Sequence, residues 1–161
     1  MSEIIEGRAK PSYCGPASLK WAARRLGVEV EQEKLAEVMG TTYELGTDGD
    51  GMLLGVAYLG LAGEWVQNKT LEELEQIRLG GGEVIFDWTD CDACQDSKPL
   101  EDGHYSVLRC LNRGTIELDS PDLEGRITIL RQGDFVNKRW YDTTMDGERL
   151  EKWALVIRKP K

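Results

Sequence analysis

The chain has 161 residues, 40% of them apolar, a formal charge of −9 and a pI near 4.7. That length supports one domain, residues 1–161, with a real core, and an acidic chain without Lys and Arg clustered among aromatics excludes nucleic acid as the expected partner. No apolar stretch approaches membrane length, and the N-terminus has no basic region followed by an apolar run, so a cytoplasmic protein that makes no membrane contact is expected.

In chain order, Gly15-Pro16 leads into an apolar and basic stretch that predicts a helix starting at or just after Cys14, with Gly27 to end it. The basic residues between Lys20 and Arg25 read as its solvated face, and Arg158, Lys159 and Lys161 as a solvated tail. Residues 31–39, with Leu35, Val38 and Met39 apolar and Gly40 behind them, predict a second helix. The glycines at 46, 49 and 51 read as the lead-in to a further helix reaching Ala57. Asp48-Gly49-Asp50-Gly51 lacks the remaining acidic ligands of a calcium loop and reads as a turn. Thr70-Leu71-Glu72-Glu73 has capping-box spacing and opens an acidic helix that Gly80-Gly81-Gly82 stops. Strands are expected at 64–66, 84–88, 104–111, 115–118, 126–130 and 153–157. This alternation predicts an α+β fold, a mostly antiparallel sheet packed on the N-terminal helix. The five tryptophans are core candidates, Trp88 also being placed to line a groove.

Chemistry enters with Cys14 and with His104, the single histidine of the chain. A nucleophilic thiol needs a base to take its proton and a third group to hold that base in one tautomer. At a helix N-terminus the dipole and free amides favour thiolate. His104 opens a strand, and the hairpin through Asn112-Arg113-Gly114 is expected to return Asp119 beside it. A lone buried cysteine, a structural histidine and a turn-forming aspartate are each commonplace. Together, in this order, they point to a Cys14–His104–Asp119 thiol hydrolase.

The segment Tyr13-Cys14-Gly15-Pro16-Ala17-Ser18-Leu19 closely resembles the nucleophile motif of the C39-like cysteine peptidases, a papain-like group that includes bacteriocin leader-processing domains. His104-Tyr105-Ser106-Val107 is similar to the family's histidine strand, and Asp119-Ser120-Pro121 to its aspartate turn. Residues 134–141 resemble the family's aromatic segment that packs on the sheet. The resemblance implies a papain-like fold, a peptide or protein substrate, no cofactor, and attack by Cys14 through a thioester that water resolves. The family places a glutamine six residues before the cysteine as an oxyanion donor. Here that residue is Arg8, which either supplies a charged donor in its place or is a solvated surface charge.

Two other functions use the same residues: a catalytically impaired C39-like domain that binds a peptide, and acyl or γ-glutamyl transfer. Cys91 and Cys94 form a Cys-x-x-Cys pair in an acidic stretch. Zinc needs about four ligands, so an acidic loop carrying two thiols is favoured over a metal site.

Overall fold

A computed structural model describes residues 3–89, 103–144 and 146–161. Helix α1 spans Cys14–Arg25 and buries Ala17, Leu19, Trp21, Ala22 and Ala23 along one face. Gly27, at φ 85°, ends it with two turn bonds, from the Gly27 N–H to the Arg24 carbonyl at 3.0 Å and from the Val28 N–H to the Ala23 carbonyl at 2.9 Å. Helix α2 is Gln32–Met39. Helix α3, Gly49–Tyr58, is capped by Asp48, whose Oδ1 accepts the Gly51 N–H at 2.7 Å. The stretch read as a turn is therefore a helix start. After strand β1, Ala62–Gln67, helix α4, Leu71–Leu79, opens with the full capping box between Thr70 and Glu73.

Strand β2, Glu83–Thr89, is buried along its whole length and lies at the centre of the sheet. Strands β3, Gly103–Asn112, and β4, Thr115–Ser120, form the expected hairpin, and β5, Arg126–Arg131, follows. A short helical turn, Gln132–Asp134, runs into a π-helical turn, Phe135–Arg139. Strands β6, Tyr141–Thr143, and β7, Arg149–Glu151, pair as a small separate sheet. Strand β8, Trp153–Arg158, completes a six-stranded antiparallel sheet of order β1-β8-β2-β3-β4-β5. The α+β expectation holds.

Alternation along the strands divides two cores. Ile85, Tyr105, Val107 and Leu155 meet α1, α2 and α3 on one face. Phe86, Trp88, Leu118 and Val156 meet α4, Phe135 and Trp140 on the other. Phe86 takes Phe135 and Trp140 edge-on at 5.1 and 5.2 Å between ring centroids. The aromatic segment thus packs on the sheet as its sequence suggested, and Trp88 is core.

The basic stretch of α1 departs from its reading as a solvated face. Lys20 Nζ lies 2.9 Å from Glu6, and Arg25 turns inward to Asp119. Lys20 is half-buried, whereas Arg24 and Arg25 keep exposed surface. Among the described residues no helix is long and apolar enough to cross a membrane.

Candidate active site

Strand β4 ends at Ser120, because Pro121 has no N–H with which to extend the ladder. Outward from there on β3, Tyr105 bonds to α1. Its carbonyl accepts Ser18 Oγ at 3.1 Å, and its backbone N–H acts on the Cys14 thiol in the direction that favours thiolate. The first turn of α1 therefore occupies the place that β4 vacates. The thiol is set beside the strand, one residue from His104.

His104 faces Trp88, its partner across the β2–β3 ladder, with ring centroids 5.9 Å apart and planes at 69°. Its Nε2 lies 3.6 Å from Asp122 Oδ1, and the other oxygen of Asp122 is held by Arg126. Nε2 turned to a carboxylate leaves Nδ1 as the ring nitrogen for proton transfer. The N-terminal segment closes this corner, as the Arg8 N–H donates to the Asp122 carbonyl at 3.0 Å. Gly125, at φ 69°, lets that segment pass, since a Cβ there would collide with the Ile5 carbonyl.

Asp119 is placed elsewhere, which corrects its reading as the group beside His104. The β3–β4 register pairs Asp119 with Val107, three residues from His104, after a bulge between Leu108 and Cys110. That parity turns Asp119 toward α1, whereas His104 shares Trp88's face. Both Asp119 oxygens are occupied: Oδ2 accepts from Trp21 Nε1 at 3.0 Å and Arg25 Nη2 at 2.6 Å, and Oδ1 from Arg109 Nη1 at 3.0 Å. Asp119 anchors the helix to the sheet. Asp122, absent from the sequence reading, is the carboxylate beside the imidazole. Its signal was available in its place just after the proline that stops β4.

Arg8 is half-buried, and its Nε is buried without a partner among the described residues. Its charge acts on both Cys14 and His104. Arg8 is therefore not a fully solvated charge.

The thiolate expected from the helix terminus is also corrected. Part of Cys14 remains accessible, yet burial of the sulfur pushes the thiol above its usual value, outweighing the opposing Tyr105 N–H and Arg8, and Asp87 adds to the rise. Burial likewise holds His104 down to about 4, aided by Arg8 and Arg126 against Asp122. The resting pair is neutral thiol and neutral imidazole.

A pH dependence of stability follows. The unfolded chain protonates its histidine below about 6.5, while the folded protein does not until about 4. Buried His104 therefore costs stability progressively as pH falls through that window, and no further below it. Relative to His104→Gln, the wild type should lose roughly 3 kcal/mol between pH 6.5 and 4. Urea unfolding of both proteins at several pH values measures the difference.

Cys91 and Cys94 lie outside the described residues. Among those described, no group of three or more His, Cys, Asp or Glu side chains is arranged to hold a metal.

No family model matches the chain. An uncharacterized protein of Methanothermobacter thermautotrophicus is 31% identical over 130 residues, 81% of this chain and 79% of that protein. Another, from Methanothermobacter marburgensis, is 28% identical over 149 residues, 92% of this chain and 91% of that one. Among solved structures, the peptidase domain of Streptococcus ComA, a bifunctional ABC transporter of a quorum-sensing pathway, superposes with a TM-score of 0.71 at 16% identity, covering 99% of this chain and 100% of that domain. A double-glycine-motif protease from an AMS/PCAT transporter, solved with the leader peptide, gives 0.67 at 14% identity, covering 97% and 91%. The N-terminal C39-like peptidase domain of a toxin-secretion ATP-binding protein from Vibrio parahaemolyticus gives 0.57 at 12% identity, covering 96% and 100%. The chain belongs to the family of the Methanothermobacter thermautotrophicus protein, and its fold is that of the C39-like, papain-like cysteine peptidase domains.

Proposed function

We propose that the protein is a cysteine peptidase in which Cys14 attacks, His104 carries the proton, Asp122 orients the imidazole, and Arg8 with the Cys14 backbone N–H receives the oxyanion. The observation that carries this reading is the junction at Tyr105. There the first turn of α1 meets β3 one residue from His104, and Arg8 acts on both the Cys14 and the His104 side chains. The C39-like fold supports a peptide as the substrate.

From the neutral pair, His104 takes the thiol proton as sulfur bonds to the peptide carbonyl carbon. The carbonyl oxygen becomes anionic beside Arg8, and the new imidazolium gains the Asp122 carboxylate. The imidazolium then protonates the departing amine as the C–N bond breaks, leaving a thioester. Water, deprotonated by His104, attacks the thioester, and the thiolate leaves and regains a proton.

Peptide cleavage followed by mass spectrometry over a mixed peptide library tests the reading. Wild type should cut and Cys14→Ala should not; a library left intact by wild type contradicts it. Arg8→Ala should lower kcat by about a hundredfold to a thousandfold with KM unchanged, the cost of one oxyanion donor. An unchanged kcat would remove Arg8 from the mechanism.

One observation favours a second reading, a peptide-binding domain without turnover: burial keeps the thiol protonated and the imidazole neutral at rest. Binding of library peptides without any cleavage is its signature.

A further inference from the structure

Asp87 lies opposite Tyr105 in the β2–β3 ladder, so it shares the sheet face on which α1 packs. It is 8% exposed, on a strand whose other side chains are buried with it. Its Oδ1 has no hydrogen-bond partner among the described residues. A carboxyl left in this state within a packed sheet costs stability, so a role outside folding is the economical explanation for it. Its neighbour is Asp142 on β6, whose carboxyl acts on it electrostatically and is itself half-buried. Strand β6 is fixed there by Thr89 Oγ1, which donates to the Tyr141 carbonyl at 2.8 Å. The pair stands beside the nucleophile, since Asp87 acts electrostatically on both Cys14 and Tyr105.

We propose that Asp142 and Asp87 form a subsite beside Cys14 that takes a cationic side chain, the guanidinium or ammonium of an arginine or lysine in the peptide. The peptide context rests on the peptidase reading above; the cation site itself does not. Asp142 meets the ligand from the solvent side, and Asp87 stands behind it. Burial holds the Asp87 carboxyl well above the usual range, and Asp142 pushes it further in the same direction. That direction favours a proton on the Asp87 carboxyl of the free site. An arriving cation replaces that proton, which leaves to solvent, so one positive charge is exchanged for another. The other groups around the site are Tyr105 from β3, Cys14 from α1 and Asp48 at the start of α3, and the Arg8 guanidinium also acts on Cys14. Arg139 lies at the neighbouring edge, with Nη1 donating to the Thr89 carbonyl at 3.4 Å. A net charge of −9 draws cations to the same protein.

Titration calorimetry of the full chain with acetyl-arginine N-methylamide and acetyl-norleucine N-methylamide, each in phosphate and in Tris at pH 7, tests the subsite. The arginine compound should bind at least about tenfold more tightly and release about one proton, read from the difference between buffers. Asp142→Asn should abolish the preference without changing norleucine binding, and Asp87→Asn should abolish the proton release. Equal affinity for the two compounds in wild type overturns the proposal, as does a preference that survives in both variants. Failure of the peptidase reading is separable. Arginine preference without cleavage of any library peptide removes only that reading, whereas cleavage without the preference removes only the subsite.

Discussion

Asp122→Asn is expected to lower kcat/KM by about a hundredfold to a thousandfold while leaving the thermal midpoint nearly unchanged. An amide in place of the carboxylate cannot stabilise the imidazolium, and it allows the ring to settle in the wrong tautomer; at a buried triad aspartate this change costs about ten thousandfold. The 3.6 Å separation and the partial exposure of Asp122 argue for a smaller loss. Its structural share is modest, because the Arg126 pair it gives up is half-exposed and such pairs contribute about 0–1 kcal/mol. A positioning role also leaves a mark that a purely structural one would not. Asp122 lifts the His104 pKa against burial, so the acid limb of kcat/KM, set near pH 4 in wild type, should move lower in the variant. An unmoved limb with unchanged turnover would exclude Asp122 from the site.

The opposite outcome is expected at Asp119. Asp119→Asn leaves Arg25 and Arg109 without their shared carboxylate, and the side chain it replaces is fully buried. Removing one partner of a buried charge network costs about 3–5 kcal/mol, and the part-exposure of Arg25 places this case near the lower end. At about 2–4 °C per kcal/mol, the midpoint should fall by roughly 6–12 °C. Activity measured well below that midpoint should stay within about threefold of wild type, the level of ordinary second-order effects. A variant with an unchanged midpoint and abolished turnover would restore Asp119 to the imidazole. Assaying Asp119→Asn and Asp122→Asn side by side makes the two carboxylates controls for one another.

What was legible in the sequence was local. Gly15-Pro16 and Gly27 bracket α1, and the Thr70–Glu73 capping box opens α4, because each depends on residues within a few positions. The six longer strands could be read from β-branched and aromatic runs. The three-residue strands β6 and β7 carry too little alternation to show a period. The choice between Asp119 and Asp122 lay beyond reading because register depends on the two-residue turn, the bulge near Leu108 and the stop at Pro121 taken together. Proximity in sequence to the aspartate turn was right, and the face was wrong. Arg8 sits far along the chain from His104, and only the packing of the N-terminal segment on the 122–125 turn brings it in. The thiol's titration failed for a related reason. A helix terminus is visible in sequence, whereas the desolvation that overrides it is a property of the assembled core.

The proposed catalytic unit is Cys14 acting with a neutral His104, and the rate of Cys14 alkylation by iodoacetamide, followed by mass spectrometry from pH 4 to 10 in wild type and His104→Ala, tests it most directly. A pair that exchanges its proton internally gives a small, pH-independent fraction of thiolate between the histidine and thiol pKa values. Wild type should therefore show a plateau from about pH 5 to 8, then a rise above the ordinary thiol value of about 8.5 as burial delays free ionisation. In His104→Ala the plateau should vanish and the upper rise remain. A single rising titration, identical in the two proteins, would show that the thiol and the imidazole do not act together and would contradict the peptidase mechanism.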